Sequence, residues 1–305
     1  MIHTVYVTEP DLIDLSIVTA KLPQESFLVV GGSSSFEQSK QYPYDTLLIR
    51  SGTKVTDQIK TFFPDLKHVV RVGTGLDNVD LDFCKREGIA VYNAAGANAD
   101  AVAEYVVSVI LVALRKLHQR TQQDVLDWNR LKFLGSSMNE QTVGLIGFGN
   151  VGRLLHKKLS GFELKGFLIY DPYIDTANVP EDVKKVETID ELIQLSTIVS
   201  LHIPLTDETK NIIGNDRLAL LNKDAVLINS SRGGIVDESA VLDLLNDGSP
   251  FTYIADTVEN EPHGNPALFN NDNIIVTPHI ASLTDSANRQ MLETALDNLL
   301  NSKSV

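Results

Sequence analysis

Short apolar runs recur along this chain, and most of them end at a polar residue or a glycine. Each run has the length of a buried strand, and the stretches between them show helical periodicity. One such stretch, 238–246, has Asp237 as a candidate N-cap and Gly248 as a candidate stop. The alternation predicts an α/β protein with a doubly wound parallel sheet. The runs lie at 143–146, 167–170, 198–201, 225–228, 253–255 and 274–276.

Three earlier runs, at 2–7, 27–30 and 46–49, predict a separate α/β unit ahead of this sheet. A length of 305 residues also favours two domains. The segment 101–118 differs from the rest, because it is apolar on nearly every face. Such a helix is buried on all sides, either between domains or between subunits. Its apolar stretch, 101–114, is too short and too polar to span a membrane.

A glycine-rich turn stands between two of these runs. Gly147 permits a tight turn, Gly149 lets a pyrophosphate approach the backbone, and Gly152 lets the following helix pack closely on the strand. The N-terminus of that helix carries partial positive charge, which suits a diphosphate. Asp171 lies about 20 residues further on, where a carboxylate binds a ribose diol and repels a 2′-phosphate. The unit predicts a dinucleotide site that prefers NAD to NADP.

Polar residues follow four further runs, whose carboxyl ends share one edge of a parallel sheet, beside the cofactor crevice. An arginine can bind a substrate carboxylate and polarise a keto oxygen, and a histidine can transfer the alcohol proton. A neighbouring carboxylate orients the imidazole and favours its protonated form. Taken singly, the histidine also fits a turn residue and the arginine a contact to a carbonyl, but their joint placement favours hydride transfer to a 2-keto acid. The residues are His202, Ser230, Ser231, Arg232, Asp256, Glu261 and His279.

Two features of the first unit also lie at the ends of apolar runs. Arg50 and Ser51 follow one run directly, and Arg71, Val72 and Gly73 open a glycine-rich loop. Such a loop can direct several backbone N–H groups at a carboxylate. The alternative is that both arginines are surface charges and that the glycines merely make a turn.

The composition limits the classes of partner and compartment. A net charge of −14 and a pI of about 4.9 argue against nucleic acid and anionic membranes as partners. Cys84 is the only cysteine, so no internal disulfide forms, which fits a reducing compartment. The N-terminal sequence lacks the pattern of a signal peptide, and we expect a cytoplasmic protein. Nothing in the pattern indicates a metal site.

From Tyr44 to Leu299 the chain resembles the NAD-dependent D-2-hydroxyacid dehydrogenases. Within that family it is most similar to the catalytic cores of D-3-phosphoglycerate dehydrogenases. Asn150 departs from the arginine usual in the family, which could alter cofactor affinity. The resemblance rests on the glycine turn with Asp171, HIPLTDET (202–209), NSSRGGIVDESAV (229–241), the Asp256 and Glu261-Pro262 pair, TPHIAS (277–282), LIRSGTKVT (48–56), RVGTGLDNVDL (71–81) and WNRLKF (128–133).

The resemblance implies roles residue by residue. The catalytic residues of the family fall on Arg232, Glu261 and His279. The contacts to the cofactor, NAD, fall on Thr74, Gly147, Gly149, Asn150, Val151, Gly152, Asp171, His202, Ile203, Pro204, Ser230, Ser231, Asp256, His279, Ala281 and Ser282. Contacts to an anionic substrate fall on Arg50, Ser51, Arg71, Val72, Gly73, Arg130 and Arg232, with Arg130 supplied by a partner subunit.

The resemblance also implies an architecture of two Rossmann-like domains with parallel sheets. The substrate-binding domain is discontinuous, 1–98 and 284–305, and the NAD-binding domain is 99–283. The helix near 101–118 is then expected at the interface of a homodimer, burying Val106, Ile110 or their neighbours. No C-terminal regulatory domain is expected, and therefore no feedback by serine through one.

The activity that the resemblance implies is the NAD-dependent oxidation of 3-phospho-D-glycerate to 3-phosphohydroxypyruvate, the first step of serine biosynthesis. An alternative is a reductase for hydroxypyruvate, glyoxylate or another small 2-keto acid, which needs fewer substrate-binding cations. A third hypothesis is an NAD-sensing scaffold that recruits partner proteins. The intact arginine, glutamate and histidine argue against the scaffold.

Overall fold

The computed structural model describes residues 3–31 and 42–305 and shows an α/β protein. The chain divides into two compact units, Met1–Asn98 with Leu283–Val305, and Ala99–Ser282. Each unit contains a parallel sheet of its own. Within the described residues, no helix is long and apolar enough to cross a membrane.

Strands and helices alternate along nearly the whole described chain. The strands are β1 (Thr4–Val7), β2 (Phe27–Val30), β3 (Thr46–Ile49), β4 (His68–Arg71), β5 (Ala90–Tyr92), β6 (Thr142–Ile146), β7 (Gly166–Tyr170), β8 (Lys184–Lys185), β9 (Ile198–Leu201), β10 (Val226–Asn229), β11 (Thr252–Ala255) and β12 (Ile274–Val276). The α-helices are α1 (Leu15–Lys21), α2 (Ile59–Phe62), α3 (Leu81–Arg86), α4 (Ala99–Leu114), α5 (Gln122–Leu126), α6 (Asn150–Leu159), α7 (Ile189–Leu195), α8 (Asn215–Leu218), α9 (Glu238–Asn246) and α10 (Asp285–Leu300).

Residues 99–282 form a seven-stranded sheet in the order β12-β11-β10-β9-β6-β7-β8, with parallel pairing throughout. Successive residues of a strand point to opposite faces. Leu227 lies in a core with α7, α8 and α9, whereas Val226 and Ile228 lie in a second core with α4 and α6. Because helices cover both faces, the doubly wound parallel sheet predicted from the sequence is confirmed.

The long apolar helix α4 is buried by its own unit. It begins at Ala99 and ends at Leu114, four residues before the predicted end, and it packs against α6 and the sheet. Val106 and Ile110 are both 0% exposed in the single chain. The core of the unit therefore already covers Val106 and Ile110, and burial between subunits stays a prediction for their neighbours on α4.

The other unit has a five-stranded parallel sheet in the order β2-β1-β3-β4-β5. The helices α1 and α10 cover one face, and α2 and α3 cover the other. Helix α10 joins this unit from the far end of the chain because Met291 packs in the same core as Val5 and Val70. Cys84 is buried on the opposite face, and burial raises its pKa to about 11, as expected for a packing residue.

Candidate active site and cofactor site

The glycine-rich turn between β6 and α6 has a geometry that requires glycine at two positions. Gly147 has a φ of +94°, and a Cβ at this position would overlap the carbonyl of His202. A Cβ on Gly152 would lie 2.8 Å from the Gly147 carbonyl oxygen, which would push α6 away from β6. Gly149 is different, because no heavy atom lies within 4 Å of a Cβ placed there. The turn therefore leaves room beside Gly149.

The N-terminus of α6 follows this turn without a side-chain cap. The helix begins at Asn150, and Gly149 at the N-cap position offers no acceptor to the first N–H groups. Free N–H groups and the helix dipole attract a diphosphate. Asn150 is exposed, and Val151 is half-buried against the core shared with α4. The turn and the uncapped helix together fit the pyrophosphate of a dinucleotide.

Asp171 lies directly after β7 and is held against the glycine turn. Its Oδ2 accepts a hydrogen bond from the Phe148 N–H at 2.9 Å, and its Oδ1 accepts one from the Tyr173 N–H at 2.9 Å. Each carboxylate oxygen can accept more than one hydrogen bond. The half-buried carboxylate is therefore fixed in orientation and still able to accept the hydroxyls of a ribose.

His202 follows β9 on the same edge of the sheet. Its N–H donates to the Ile146 carbonyl at 2.8 Å, and its Nε2 lies 3.0 Å from the Ser200 hydroxyl. Burial lowers the pKa of His202 to about 4. The imidazole is therefore neutral at physiological pH and supports the glycine turn rather than transferring protons. Of the next two residues, Ile203 is half-buried and Pro204 is exposed.

The two serines after β10 have different environments. Ser231 is engaged: its hydroxyl donates to the Leu201 carbonyl at 2.6 Å, and its N–H donates to Asn229 Oδ1 at 3.1 Å. Ser230 Oγ, in contrast, is buried without a hydrogen-bond partner among the described residues. A buried hydroxyl without a partner is costly, and a bound ligand would satisfy it. Ser230 is therefore a fitting contact for a cofactor at this edge.

Asp256 follows β11 and holds the loop that carries His279. Its side chain is only 2% exposed, and its carboxylate accepts hydrogen bonds from the Ile280 and Ala281 N–H groups, both at 2.8 Å. The Thr277 hydroxyl donates to Asp256 Oδ1 at 2.6 Å. The sequence suggested a cofactor contact for Asp256, and the geometry adds a role in shaping this loop. Of the other predicted contacts here, Ala281 is buried and Ser282 half-buried.

His279 and Glu261 form a hydrogen-bonded pair. His279 Nδ1 lies 2.8 Å from Glu261 Oε2, and Glu261 Oε1 accepts the Val258 N–H at 3.1 Å. The imidazole is 48% exposed, so Nε2 is the nitrogen that remains for a substrate. His279 has a φ of +53°, a left-handed conformation that costs a residue with a side chain about 1–3 kcal/mol. The surrounding hydrogen bonds hold this conformation in place.

The charges around Glu261 also favour its pairing with His279, because they lower the pKa of the glutamate. Burial alone would raise the pKa of Glu261, but the hydrogen bond from His279 and its charge, the Val258 N–H and the Arg232 guanidinium together lower it. Glu261 is therefore ionised at neutral pH. Arg232 Nη1 donates to the Ser231 carbonyl at 2.7 Å, and the Asn229 side chain donates to the Arg232 carbonyl at 2.8 Å. The alternative interpretation of the sequence was that Arg232 contacts a carbonyl. The structure contains such a contact, to the Ser231 carbonyl.

In the first unit, Glu9 holds the loop of Arg50 and Ser51. The Glu9 carboxylate accepts the N–H groups of Arg50 and Gly52, both at 2.8 Å. The Arg50 guanidinium donates to Asn288 Oδ1 at 3.2 Å and to the Leu12 carbonyl at 3.4 Å. Burial lowers the pKa of Arg50, and the charge of Glu9 opposes that shift. Arg50 is thus a supported, half-buried cation rather than a loose surface charge.

Arg71 ends β4, and its side chain folds back over Gly73. A Cβ on Gly73 would overlap Arg71 Nη1, and Gly73 has a φ of +154°. Glycine is therefore needed here for the position of the guanidinium as well as for the turn. The next residue, Thr74, is a predicted cofactor contact. Its hydroxyl already has a partner within the protein, because it donates to Asn98 Oδ1 at 2.8 Å.

Two supporting residues, Asn78 and Glu9, were not identified from the sequence. Asn78 bridges two loops, since its side-chain amide donates to the Arg50 carbonyl at 2.8 Å and to the Thr53 carbonyl at 2.6 Å. Glu9 follows β1, so the rule that singled out the other strand ends would have found it.

Arg130, which the sequence did identify, lies exposed in a 3-10 helix, Arg130–Phe133, of the second unit.

Comparison with known proteins identifies the family. Residues 107–281 match the family model described as D-isomer specific 2-hydroxyacid dehydrogenase, NAD binding domain. The chain belongs to this family. The D-2-hydroxyacid dehydrogenases bind NAD through this domain, and the glycine turn, the uncapped helix and Asp171 all lie within it.

Individual relatives have different substrates. The chain is 36% identical over 248 residues to D-3-phosphoglycerate dehydrogenase of Methanocaldococcus jannaschii, covering 80% of this chain but 47% of that protein. The chain thus spans about half the length of the phosphoglycerate dehydrogenases that it matches. It is 35% identical over 251 residues to hydroxypyruvate reductase of Thermotoga maritima, covering 81% of each. The structure of D-lactate dehydrogenase from Aquifex aeolicus, solved with NAD and lactic acid, has the same fold, with a TM-score of 0.84, 24% identity and coverage of 98% of this chain and 95% of that one.

Proposed function

We propose that this D-2-hydroxyacid dehydrogenase oxidises 3-phospho-D-glycerate to 3-phosphohydroxypyruvate, the first step of serine biosynthesis. In this proposal His279, Glu261 and Arg232 are the catalytic residues. The anionic substrate is bound by Arg50, Arg71 and Arg130, the last supplied by a partner subunit. The observation that carries the chemistry is the pair of His279 Nδ1 and Glu261 Oε2, 2.8 Å apart, with Arg232 close enough to influence the charge of Glu261.

The proposed proton transfer follows from this geometry. Glu261 holds Nδ1, so Nε2 takes the proton from the C2 hydroxyl as the C–O double bond forms. Arg232 pairs with the substrate carboxylate and stabilises the negative charge on the C2 oxygen. When bound, NAD supplies the acceptor for the hydride that leaves C2. In the reverse direction, His279 returns the proton and Arg232 polarises the keto group.

The arginines of the first unit support a substrate with a second anionic group. A phosphate carries nearly two negative charges at neutral pH, and the chain as a whole has a net charge of −14. An acidic protein must supply local cations to hold such a ligand. Arg50 is oriented by Asn288 and by the Glu9-bound loop, and Arg71 is fixed over Gly73. We therefore propose that Met1–Asn98 with Leu283–Val305 is the substrate-binding domain.

The alternative is a hydroxypyruvate or glyoxylate reductase. It is supported by the hydroxypyruvate reductase of Thermotoga maritima, which is 35% identical to this chain over 251 residues, against 36% over 248 residues for the phosphoglycerate dehydrogenase of Methanocaldococcus jannaschii. An unphosphorylated acid needs a cation only for its carboxylate. The two functions therefore differ in how strongly turnover depends on Arg50 and Arg130.

The decisive experiment measures kcat/KM with NAD for 2-hydroxy acids that carry a phosphate, a sulfonate or a hydroxyl at C3. Arg50→Ala should lower kcat/KM for the phosphorylated acid about 10- to 150-fold, the effect of one charge-assisted hydrogen bond. Arg86→Ala removes an exposed arginine of the same unit and is the matched control. If the unmodified enzyme uses the hydroxyl acid as efficiently as the phosphorylated one, the reductase function replaces this proposal.

We also propose that the enzyme is a homodimer, through a surface other than the buried face of α4. The segment 117–134 exposes large apolar side chains that the core of this chain leaves uncovered. Their exposed fractions are 58% for Leu117, 72% for Leu126, 74% for Trp128, 87% for Leu131 and 77% for Leu134. Sedimentation at micromolar concentration should give a dimer for the unmodified chain and a monomer after Leu131→Asp with Leu134→Asp. A monomeric unmodified chain would contradict the proposal.

A further inference from the structure

We propose that Tyr105 is a positioning residue for His279, acting through the Thr277 hydroxyl and the Asp256 carboxylate. The inference deepens the proposed function, because it rests on the assignment of proton transfer to His279. All four residues belong to the same compact unit.

A chain of hydrogen bonds connects helix α4 to the carboxylate. Tyr105 Oη lies 2.6 Å from Thr277 Oγ1, and Thr277 Oγ1 lies 2.6 Å from Asp256 Oδ1. A carboxylate can only accept, so the Thr277 hydroxyl donates its single proton to Asp256. Tyr105 must therefore donate to Thr277. The direction of both hydrogen bonds is fixed, and both point toward the negative charge.

The carboxylate at the end of this chain shapes the backbone around His279. Asp256 Oδ1 also accepts the Ile280 N–H, and Oδ2 accepts the Ala281 N–H, both at 2.8 Å. The His279 N–H donates to the Asp256 carbonyl at 2.9 Å. These contacts surround the one residue of the loop with a φ of +53°. A rotation of the Asp256 carboxylate would release the N–H groups that hold the imidazole toward Glu261.

The environment of Tyr105 favours this role. The side chain is half-buried and packs against the core shared by α4 and α6, so its ring cannot swing freely. Burial raises its pKa to about 12 against the opposing effect of the hydrogen bond to Thr277, and the charge of Asp256 adds a smaller effect in the same direction as burial. Tyr105 thus remains protonated, and remains a donor, throughout the working pH range.

Tyr105→Phe tests the inference, because it removes the hydroxyl and keeps the ring. With whichever 2-hydroxy acid the enzyme turns over, we expect kcat to fall about 3- to 12-fold, the effect of one hydrogen bond. KM for NAD and the dissociation constant of NADH should change by a smaller factor than kcat, because the glycine turn, the N-terminus of α6 and Asp171 lie outside this hydrogen-bond network. Ser108→Ala is the control. It removes a hydroxyl from the same helix whose one hydrogen bond within the described residues goes to the Tyr105 carbonyl, at 2.7 Å. Its kcat should be unchanged.

Substitutions of Thr277 separate positioning from general packing. Thr277→Val keeps the shape and breaks both hydrogen bonds, so kcat should fall further than in Tyr105→Phe. Thr277→Ser keeps the hydroxyl and should restore kcat to within about twofold of the unmodified enzyme. Tyr105→Phe should then have no further effect in the Thr277→Val background. Additive effects in the double variant, or equal losses in Thr277→Ser and Thr277→Val, would overturn the inference.

Hydrogen exchange keeps the test independent of the proposed function. The amides of Ile280 and Ala281 should exchange at least threefold faster in Tyr105→Phe than in Ser108→Ala. If no 2-hydroxy acid is turned over but these amides respond, the proposed function fails while the connection from Tyr105 to the loop stands. If activity is present and neither kcat nor exchange responds to Tyr105→Phe, the inference fails while the proposed function stands.

Discussion

The sharpest prediction concerns Gly73→Ala, which should displace Arg71, one of the arginines proposed to bind the substrate, without removing it. The new Cβ would overlap Arg71 Nη1 and would lie 2.6 Å from the guanidinium carbon. Ordinary contact begins at 3.4 Å, so the guanidinium must withdraw by at least about 0.8 Å. That movement takes a hydrogen bond of normal length beyond the range in which it is effective. We expect kcat/KM for the phosphorylated acid to fall about 10- to 150-fold, close to the loss in Arg71→Ala.

The control for this prediction is Gly88→Ala, in the same unit. Gly88 has a φ of +66°, and a Cβ there meets no atom within 4 Å. This variant therefore introduces backbone strain of about 1 kcal/mol without displacing a side chain. Thermal unfolding should show a lower transition temperature for both variants, whereas steady-state kinetics should show a large loss only for Gly73→Ala. If Gly73→Ala retains its kcat/KM while Arg71→Ala loses it, the position of the guanidinium over Gly73 is irrelevant to the substrate.

Four further predictions concern His279, Asp171, His202 and Arg130. His279→Ala should lower kcat by about two to four orders of magnitude, the usual range for general acid–base catalysis, while calorimetry shows little change in NADH binding. Asp171→Ala should narrow the preference for NAD over NADP in kcat/KM, and equal efficiency with both cofactors in the unmodified enzyme would contradict the premise. Burial lowers the pKa of His202 to about 4 in the folded protein, against 6.5 for the free side chain. Between these two pH values the unfolded state binds a proton that the folded state does not, so the contribution of His202 to the free energy of unfolding declines as the pH falls from 6.5 to about 4. Denaturation of His202→Asn should lack that decline. Arg130→Ala should weaken use of the phosphorylated acid about 10- to 150-fold and affect glyoxylate much less, and equal losses for both acids would exclude a phosphate contact.

The apolar runs of the sequence predicted nine of the twelve strands in the described residues, and they missed β4, β5 and β8. Because most buried strands of the second unit read as an apolar run with a polar end, the sequence predicts His202, Asp256 and His279 on one edge of the sheet. The helix 238–246 begins after Asp237, whose carboxylate caps it, as its composition predicted.

The sequence could not predict the packing partners of helix α4. The periodicity of a helix indicates which side chains are buried, but not which neighbouring element covers them. The apolar character of α4 indicated burial correctly, but Val106 and Ile110 are covered by the core of their own unit rather than by a second subunit. Tyr105 on the same helix looked like one more apolar position. Its hydrogen bond to Thr277, 172 residues away in sequence, appears only when the sheet is assembled.

The hydrogen bond from the Phe148 N–H to Asp171 Oδ2 has a consequence for redesign of the cofactor preference. The residue that would distinguish the two nicotinamide cofactors also supports the loop around their diphosphate. An arginine at position 171 would attract a 2′-phosphate, yet it has no acceptor for that N–H. Exchange of NAD for NADP therefore requires at least two changes, one for the ribose and one that gives the Phe148 amide a new acceptor. Asparagine at position 171 keeps an acceptor oxygen and is the mildest first step.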